Sequence, residues 1–372
     1  MAESNTLVSG LDERTQDVSK VIDDSKRRFR HFLYFFSGQQ VSLLGSSVVS
    51  FALIWWLTVT TQSELMLGLA SLVSLGPFIL AAPFSGLLAD RFNRKRLLII
   101  VDSIQALITV TLSILFITNH TSIPIIFVVL GLRGTAQAFH VPVSASIAPT
   151  MVPQKHLSRI NGISYLFSGL VNIIGPVVGA ALLAIPGVNI GNVLWIDVIT
   201  FGIALVPLLF IKIPSVVDKT KGKKQESFIL KITDGFSVLK ETKGMVALIF
   251  GGMLLNFFMS PLTGLLSLFI NKIHLGNETN FAIVVGMLQA GIVIGGLLMS
   301  IFKGFKKPIL FFLGALVIQA FLQIGLTLIP TTINGRFWIM GSILFLYAIP
   351  FAVIDVSFIT TIQLLIPKEK LG

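Results

Sequence analysis

Long apolar segments alternate with short polar ones along almost the whole chain. Each apolar segment has about 20 residues or more, enough to cross about 30 Å of hydrocarbon as an α-helix. A helix satisfies its own backbone hydrogen bonds in lipid, so this pattern predicts about ten membrane-spanning helices. We expect them at about residues 32–60, 66–89, 97–118, 123–148, 162–185, 193–213, 245–270, 281–302, 308–329 and 337–365.

The composition agrees with an integral membrane protein. Of the 372 residues, 54% are hydrophobic and 12% are charged, and the mean hydropathy is +0.88. The net charge of +11 comes mainly from Lys and Arg in short loops, without the interleaved aromatics of a nucleic-acid surface. Basic loops are retained in the cytoplasm, so the charge predicts topology instead. We expect a multi-pass protein of the cell membrane with a cytoplasmic N-terminal tail and no nucleic-acid partner.

The sequence lacks the common signals of an enzyme. There is no cysteine, and the five histidines are scattered without metal-ligand spacing. Neither a glycine-rich phosphate loop with its lysine nor a nucleophile elbow is present. We therefore predict no catalytic residue, no metal site and no cofactor, and an energy source other than ATP.

Residues 86–96 form a compact charged block between the second and third apolar runs, and its four cations indicate a cytoplasmic loop. The block resembles the signature loop of the major facilitator superfamily at Gly86, Asp90, Arg91, Arg94, Lys95 and Arg96. Asn93 stands where the family usually has Gly, and Asn tolerates the left-handed backbone that such a turn is expected to need. The resemblance implies an all-α membrane fold of two pseudo-symmetric helix bundles, in which this loop gates a conformational change.

A second resemblance lies in the fifth apolar run. Gly169, Gly175, Pro176 and Gly179 resemble the fifth-helix motif of superfamily antiporters, with Ala180 in place of the last Gly. Small residues let a neighbouring helix approach closely, and a proline bends the segment. Ordinary helix packing is the alternative explanation for Gly175 and Gly179.

Four ionisable side chains fall inside predicted spans, where a charge at the centre costs at least about 2.5 kcal/mol. Arg133 and Asp102 have similar predicted depths, so we expect them to pair, as a structural contact or as part of a proton or conformational relay. Asp197 and Asp355 are weaker candidates, because each is expected near a helix end. Arg133 also resembles the fourth-helix arginine that superfamily antiporters use in proton coupling.

The two halves of the chain resemble each other. Gly296-Leu-Leu and the lysines after it repeat the pattern of Gly86-Leu-Leu and its basic loop, at an offset of roughly 210 residues. We therefore predict a tail at 1–30, a six-helix bundle at 31–213, a cytoplasmic linker with an amphipathic helix at 214–244 and a second bundle at 245–372. The repeat pattern leads us to expect two further spans beyond residue 372, because the superfamily resemblance implies about twelve.

Across nearly the whole chain the sequence resembles the branch of the superfamily that contains macrolide efflux proteins and siderophore exporters. The resemblance implies a monomeric, proton-coupled exporter of lipophilic or amphiphilic small molecules. A siderophore or other metabolite exporter, and a non-transporting receptor or scaffold, are the alternatives. Polar and soft apolar side chains inside the spans are candidates for the substrate path: Gln39, Gln40, Asn256, Phe257, Met259 and Gln289.

Overall fold

The computed structural model describes the backbone of residues 2–91, 93–211, 213, 245–301 and 308–365, and every regular element in these ranges is helical. The helices are α1 (Ala2–Thr61), α2 (Glu64–Arg91), α3 (Arg94–Ile117), α4 (Ile123–Ala145), α5 (Ala148–Met151), α6 (Gln154–Leu183), α7 (Ile190–Phe210), α8 (Met245–Leu268), α9 (Glu278–Ile301), α10 (Pro308–Thr327) and α11 (Arg336–Leu365). A π-helical turn, Phe269–Ile273, continues α8.

Most of these helices match the predicted spans. Seven described helices are long and apolar enough to cross a membrane, and three shorter apolar helices accompany them. The seven are Arg27–Thr61, Glu64–Ala82, Arg94–Ile117, Ile123–Ala145, Leu166–Leu183, Ile190–Phe210 and Glu278–Leu298. The all-α membrane fold predicted from the apolar pattern is confirmed. The predicted amphipathic helix at 214–244 lies outside the described residues.

The start of α3 differs from the expectation in one detail. Asn93 has φ −64° and ψ 115°, an extended conformation and not a left-handed one. Its side-chain oxygen accepts hydrogen bonds from the backbone N–H groups of Lys95 at 3.0 Å and Arg96 at 3.3 Å. Asn93 is therefore an N-cap, which explains why asparagine serves here without a positive φ.

The described residues fall into two compact units that interleave along the chain. Unit 1 is drawn from Met1–Val49, Leu72–Ser168 and Gly191–Val217, and unit 2 from Ser50–Ser71, Gly169–Ile190 and Asp218–Gly372. Helices α1, α2 and α6 therefore contribute residues to both units, and the first residue of α7, Ile190, belongs to unit 2. The sequential bundle boundaries at 213 and 245 stay a prediction.

Each unit has its own apolar core. In unit 1, Phe32, Leu98, Val143, Ile147 and Leu208 are among the buried residues that pack together. In unit 2 the core includes Met340 and Leu344 of α11. The ring centroids of Phe51 and Trp55 lie 5.2 Å and 5.6 Å from the ring centroid of Phe281. Many apolar side chains outside these cores are exposed, as expected where helices face lipid.

Candidate functional site

Polar side chains of α1, α3, α4 and α7 surround a small cavity inside unit 1. The cavity has a volume of about 20 Å³, enough for one water molecule. Its walls include Gln39, Ser46, Asp102, Gln105, His140 and Asp197. We call these residues, together with Thr109 and Arg133, the polar cluster.

Arg133 and Asp197 form a buried ion pair at one end of the polar cluster. Arg133 Nη1 donates to Asp197 Oδ2 at 2.9 Å, and their side chains are 13% and 7% exposed. Arg133 Nη1 also donates to Thr109 Oγ1 at 2.7 Å, and Ser46 Oγ donates to Asp197 Oδ1 at 2.8 Å. Both carboxylate oxygens of Asp197 are therefore hydrogen-bonded, as a buried charge requires.

The predicted pairing of Asp102 with Arg133 is wrong, because the two side chains lie at different heights between α3 and α4. These helices are joined by a short loop and run antiparallel. Asp102 of α3 lies opposite His140 of α4. Thr109 is seven residues after Asp102 on α3, and it lies opposite Arg133, which is seven residues before His140 on α4. Seven residues rise about 10.5 Å along a helix, too far for Arg133 to serve both positions.

The expectation for Asp197 also needs correction. Asp197 lies near the middle of α7 and is only 5% exposed, so it is not a carboxylate at a helix end. Asp197 faces α3 and α4 instead of water. It pairs with Arg133, the residue that we expected to pair with Asp102. The side chain of Asp355 is outside the described residues, and its predicted role stays a prediction.

Asp102 has a histidine as its partner. His140 Nε2 lies 3.2 Å from Asp102 Oδ1 and 3.0 Å from Gln39 Oε1, and Asp102 is 5% exposed. Sequence reasoning missed His140, because the search for histidines looked for metal-ligand spacing. A usable signal was present: His140 is two turns from Arg133 on α4, so it faces the same side of that helix.

The described part of the signature loop makes structural contacts. Arg94 Nη1 donates to the carbonyl oxygen of Ser146 at 2.8 Å, beside the C-terminus of α4. Lys95 Nζ donates to the carbonyl oxygens of Leu209 at 2.7 Å and Ile211 at 2.8 Å, at the end of α7. Cations at helix C-termini satisfy free carbonyls and oppose the helix dipole. Arg96 is exposed, whereas the side chains of Asp90 and Arg91, and the surroundings of Gly86, are outside the described residues.

The glycine motif of α6 makes a close helix contact within unit 2. A Cβ at Gly169 would lie 2.4 Å from Cγ2 of Val293 on α9, so only glycine fits without a shift. Gly175 and Gly179 are buried, and Pro176 lies inside the helix. Close approach at Gly169 is the packing that the motif predicts.

The candidates for the substrate path have different settings. Gln39 belongs to the polar cluster of unit 1, and the nearby Gln40 is half-buried. In unit 2, Asn256 and Phe257 are exposed and Gln289 is half-buried. Met259 is among the residues whose side chains are not described. A substrate role for these residues stays a prediction.

Long apolar helices, a buried ion pair within them and cationic loops define a polytopic membrane protein. The chain belongs to the Major Facilitator Superfamily, because the model of that family matches residues 35–372. It is therefore a superfamily transporter.

Curated relatives and a solved structure agree with this membership. Macrolide efflux protein A of Streptococcus pyogenes is 29% identical over 340 residues, covering 91% of this chain and 81% of the relative. The protein of the same name in Enterococcus faecalis is 28% identical, covering 81% of this chain and 90% of the relative. The crystal structure of a point mutant of the nucleoside transporter NupG matches with a TM-score of 0.69 at 14% identity and covers 90% of this chain and 84% of that one. At this identity the match shows the fold alone.

Proposed function

We propose that this transporter exports lipophilic or amphiphilic, macrolide-like small molecules in exchange for protons, by alternating access. Two curated relatives of similar length carry the name macrolide efflux protein, which supports export and this substrate class. Superfamily transporters alternate by rocking helix bundles around a site near the middle of the membrane. In this proposal the protein is a monomer in the cell membrane with its N-terminus in the cytoplasm.

The observation that carries proton coupling is the buried Arg133–Asp197 pair with the Asp102–His140 pair beside it. Ionisable side chains inside a membrane span are costly, so a protein that retains several has a use for them. A charge whose environment alternates between dry and wet can bind a proton in one state and lose it in the other. The polar cluster provides such a setting on four membrane helices.

The signature loop and the glycine motif have supporting roles in this proposal. Arg94 and Lys95 hold the ends of α4 and α7, so the loop fixes the cytoplasmic side of unit 1. Asp90 and Arg91 would then bias one of two bundle arrangements. Gly169 gives α6 and α9 a close contact that can transmit the change within unit 2.

Drug susceptibility of cells that produce the full chain tests the proposal. Cells without macrolide efflux of their own should gain resistance to macrolides and lose it when an uncoupler collapses the proton gradient. Arg133→Gln should abolish the gain, whereas Lys272→Gln should not, because the Lys272–Glu64 pair is exposed. Resistance that survives the uncoupler would contradict proton coupling. A response to dyes or siderophores alone would contradict the macrolide-like substrate class.

A further inference from the structure

We infer that Asp102 and His140 together form the site that takes up and releases the coupling proton, while Arg133 and Asp197 stay charged throughout. The inference rests on the proposed function. It divides the polar cluster into a fixed ion pair and an exchangeable one, and it assigns His140 a role.

The fixed pair has no need of a further proton. Arg133 is a guanidinium, which stays protonated in proteins. Asp197 already receives hydrogen bonds from Arg133 at 2.9 Å and Ser46 at 2.8 Å, and Thr109 Oγ1 lies 3.0 Å from its other oxygen. Protonating Asp197 would leave the buried charge of Arg133 unmatched, which is strongly unfavourable.

The exchangeable pair lacks a permanent cation. Among the side chains that the structure describes, His140 is the one basic group within 4.0 Å of Asp102. The ionisable groups that line the cavity beside His140 are Asp102 of α3 and Asp197 of α7, and α1 contributes uncharged groups such as Gln39 and Ser46. Arg133 is on the same helix as His140, but it is occupied by Asp197.

The charge balance of the polar cluster therefore depends on one proton. Two carboxylates and one guanidinium leave one buried negative charge when His140 is neutral. An unmatched charge in this buried setting is strongly unfavourable, and a single proton on the Asp102–His140 pair neutralises it. When the cavity is shut from water the pair should hold this proton, and when water enters the charge is solvated and the proton can leave.

The geometry also limits where this proton is carried. His140 Nε2 faces two oxygens, Gln39 Oε1 at 3.0 Å and Asp102 Oδ1 at 3.2 Å, and the tautomer with a hydrogen on Nε2 can donate to either of them. The exchangeable proton is then on Nδ1 of His140 or on the Asp102 carboxylate. On release it passes to water, and the cavity of about 20 Å³ touches both side chains and has room for one water molecule.

Transport by the full chain in proteoliposomes tests the inference, with radiolabelled erythromycin as the macrolide probe. Two assays are compared: accumulation driven by a pH gradient, and exchange of the probe at equal pH on both sides. At one proton per substrate, a gradient of one pH unit sustains about tenfold accumulation in the wild-type protein. His140→Gln and Asp102→Asn should each lose this accumulation and retain exchange within about threefold, because exchange needs no net proton movement.

Controls separate a proton site from a structural role. The double variant should behave like either single variant, since both side chains serve one proton. The matched control is His120→Gln, because His120 is exposed in the α3–α4 loop and should keep both activities. The inference would be overturned, and the proposed function would stand, if His140→Gln still accumulated the probe along a pH gradient. Loss of both accumulation and exchange in His140→Gln and Asp102→Asn would have the same meaning. A wild-type protein that neither accumulates nor exchanges the probe would overturn the proposed function and this inference with it.

Discussion

The two units of the molecule stabilise their helix contacts in different ways. Unit 1 holds the ion pair Arg133–Asp197 and, in the same polar cluster, the contact between His140 and Asp102, which is ionic only when the imidazole is protonated. The described hydrogen bonds inside unit 2 are mostly neutral, such as Thr58 Oγ1 donating to Ser267 Oγ at 2.7 Å. The ion pair described in unit 2, between Lys272 and Glu64, is exposed at the helix ends.

Two histidines, one in each unit, show the difference between the units in their charged neighbours. His140 of unit 1 lies against a carboxylate, whereas His274 of unit 2 lies next to Arg336, whose Nη2 donates to the His274 carbonyl oxygen at 2.8 Å. Burial, and then the charge of Arg336, lower the pKa of the His274 imidazole. His274 therefore resists protonation. The two histidines therefore differ in their neighbours, a carboxylate in unit 1 and a guanidinium in unit 2, and our proposal assigns the proton chemistry to unit 1.

The largest effect is expected from Asp197→Asn. This change leaves Arg133 buried without its counter-charge, and breaking a buried pair typically costs about 3–5 kcal/mol. We expect a large drop in the melting temperature of the detergent-solubilised protein and loss of transport. The double variant Arg133→Gln, Asp197→Asn should be more stable than Asp197→Asn alone. Additive losses in the double variant would mean that the two side chains do not interact.

A smaller loss is expected from Gly291→Ala, which tests packing in unit 2. A Cβ at Gly291 would lie 2.3 Å from the backbone oxygen of Phe345, so α9 and α11 would have to separate, at about 1–3 kcal/mol. Gly286→Ala on the same helix is the matched control, since a Cβ there meets nothing within 4 Å. Equal melting temperatures for the two variants would refute the close contact.

The helices could be predicted from the sequence, and the partners inside the polar cluster could not. Apolar runs located α4 and α10 to within a few residues, because the length of a span is set by the bilayer. Arg133 and Asp102 stood out because charge is rare in a span. Their partners depend on the antiparallel register of α3 and α4 and on the face that α7 presents, which no local pattern encodes. A histidine without metal-ligand spacing is a weaker signal than a carboxylate or a guanidinium, and the position of His140 two turns from Arg133 on α4 is the one pattern that indicates its role.

His274 predicts a modest dependence of stability on pH. The pKa of His274 is lowered in the folded protein. The neutral imidazole therefore makes its full contribution to the free energy of unfolding above the pKa of the unfolded state, about 6.5. That contribution is lost as the pH falls towards the folded value. The melting temperature should therefore fall less steeply from pH 7 to 5 in His274→Gln than in the wild-type protein, and gradient-driven transport should persist. An identical pH dependence would contradict the assignment.

The smallest effect is expected from Lys272→Gln. Lys272 Nζ lies 3.4 Å from Glu64 Oε1, and the two side chains are 50% and 62% exposed. Exposed ion pairs contribute about 0–1 kcal/mol and weaken with salt. We expect a melting temperature close to that of the wild-type protein and unchanged transport. A drop as large as that of Asp197→Asn would mean that ionic contacts matter equally in both units.

The central claim is that the polar cluster of unit 1 couples export to protons. Proton movement triggered by the substrate tests this claim directly. Proteoliposomes containing the full chain and an internal pH dye receive a macrolide on one side, with the membrane potential clamped. Wild-type protein and Lys272→Gln should move protons opposite to the macrolide, and His140→Gln should give no pH signal while remaining folded. A wild-type signal from His140→Gln, or macrolide transport by the wild-type protein without any proton movement, would contradict the account.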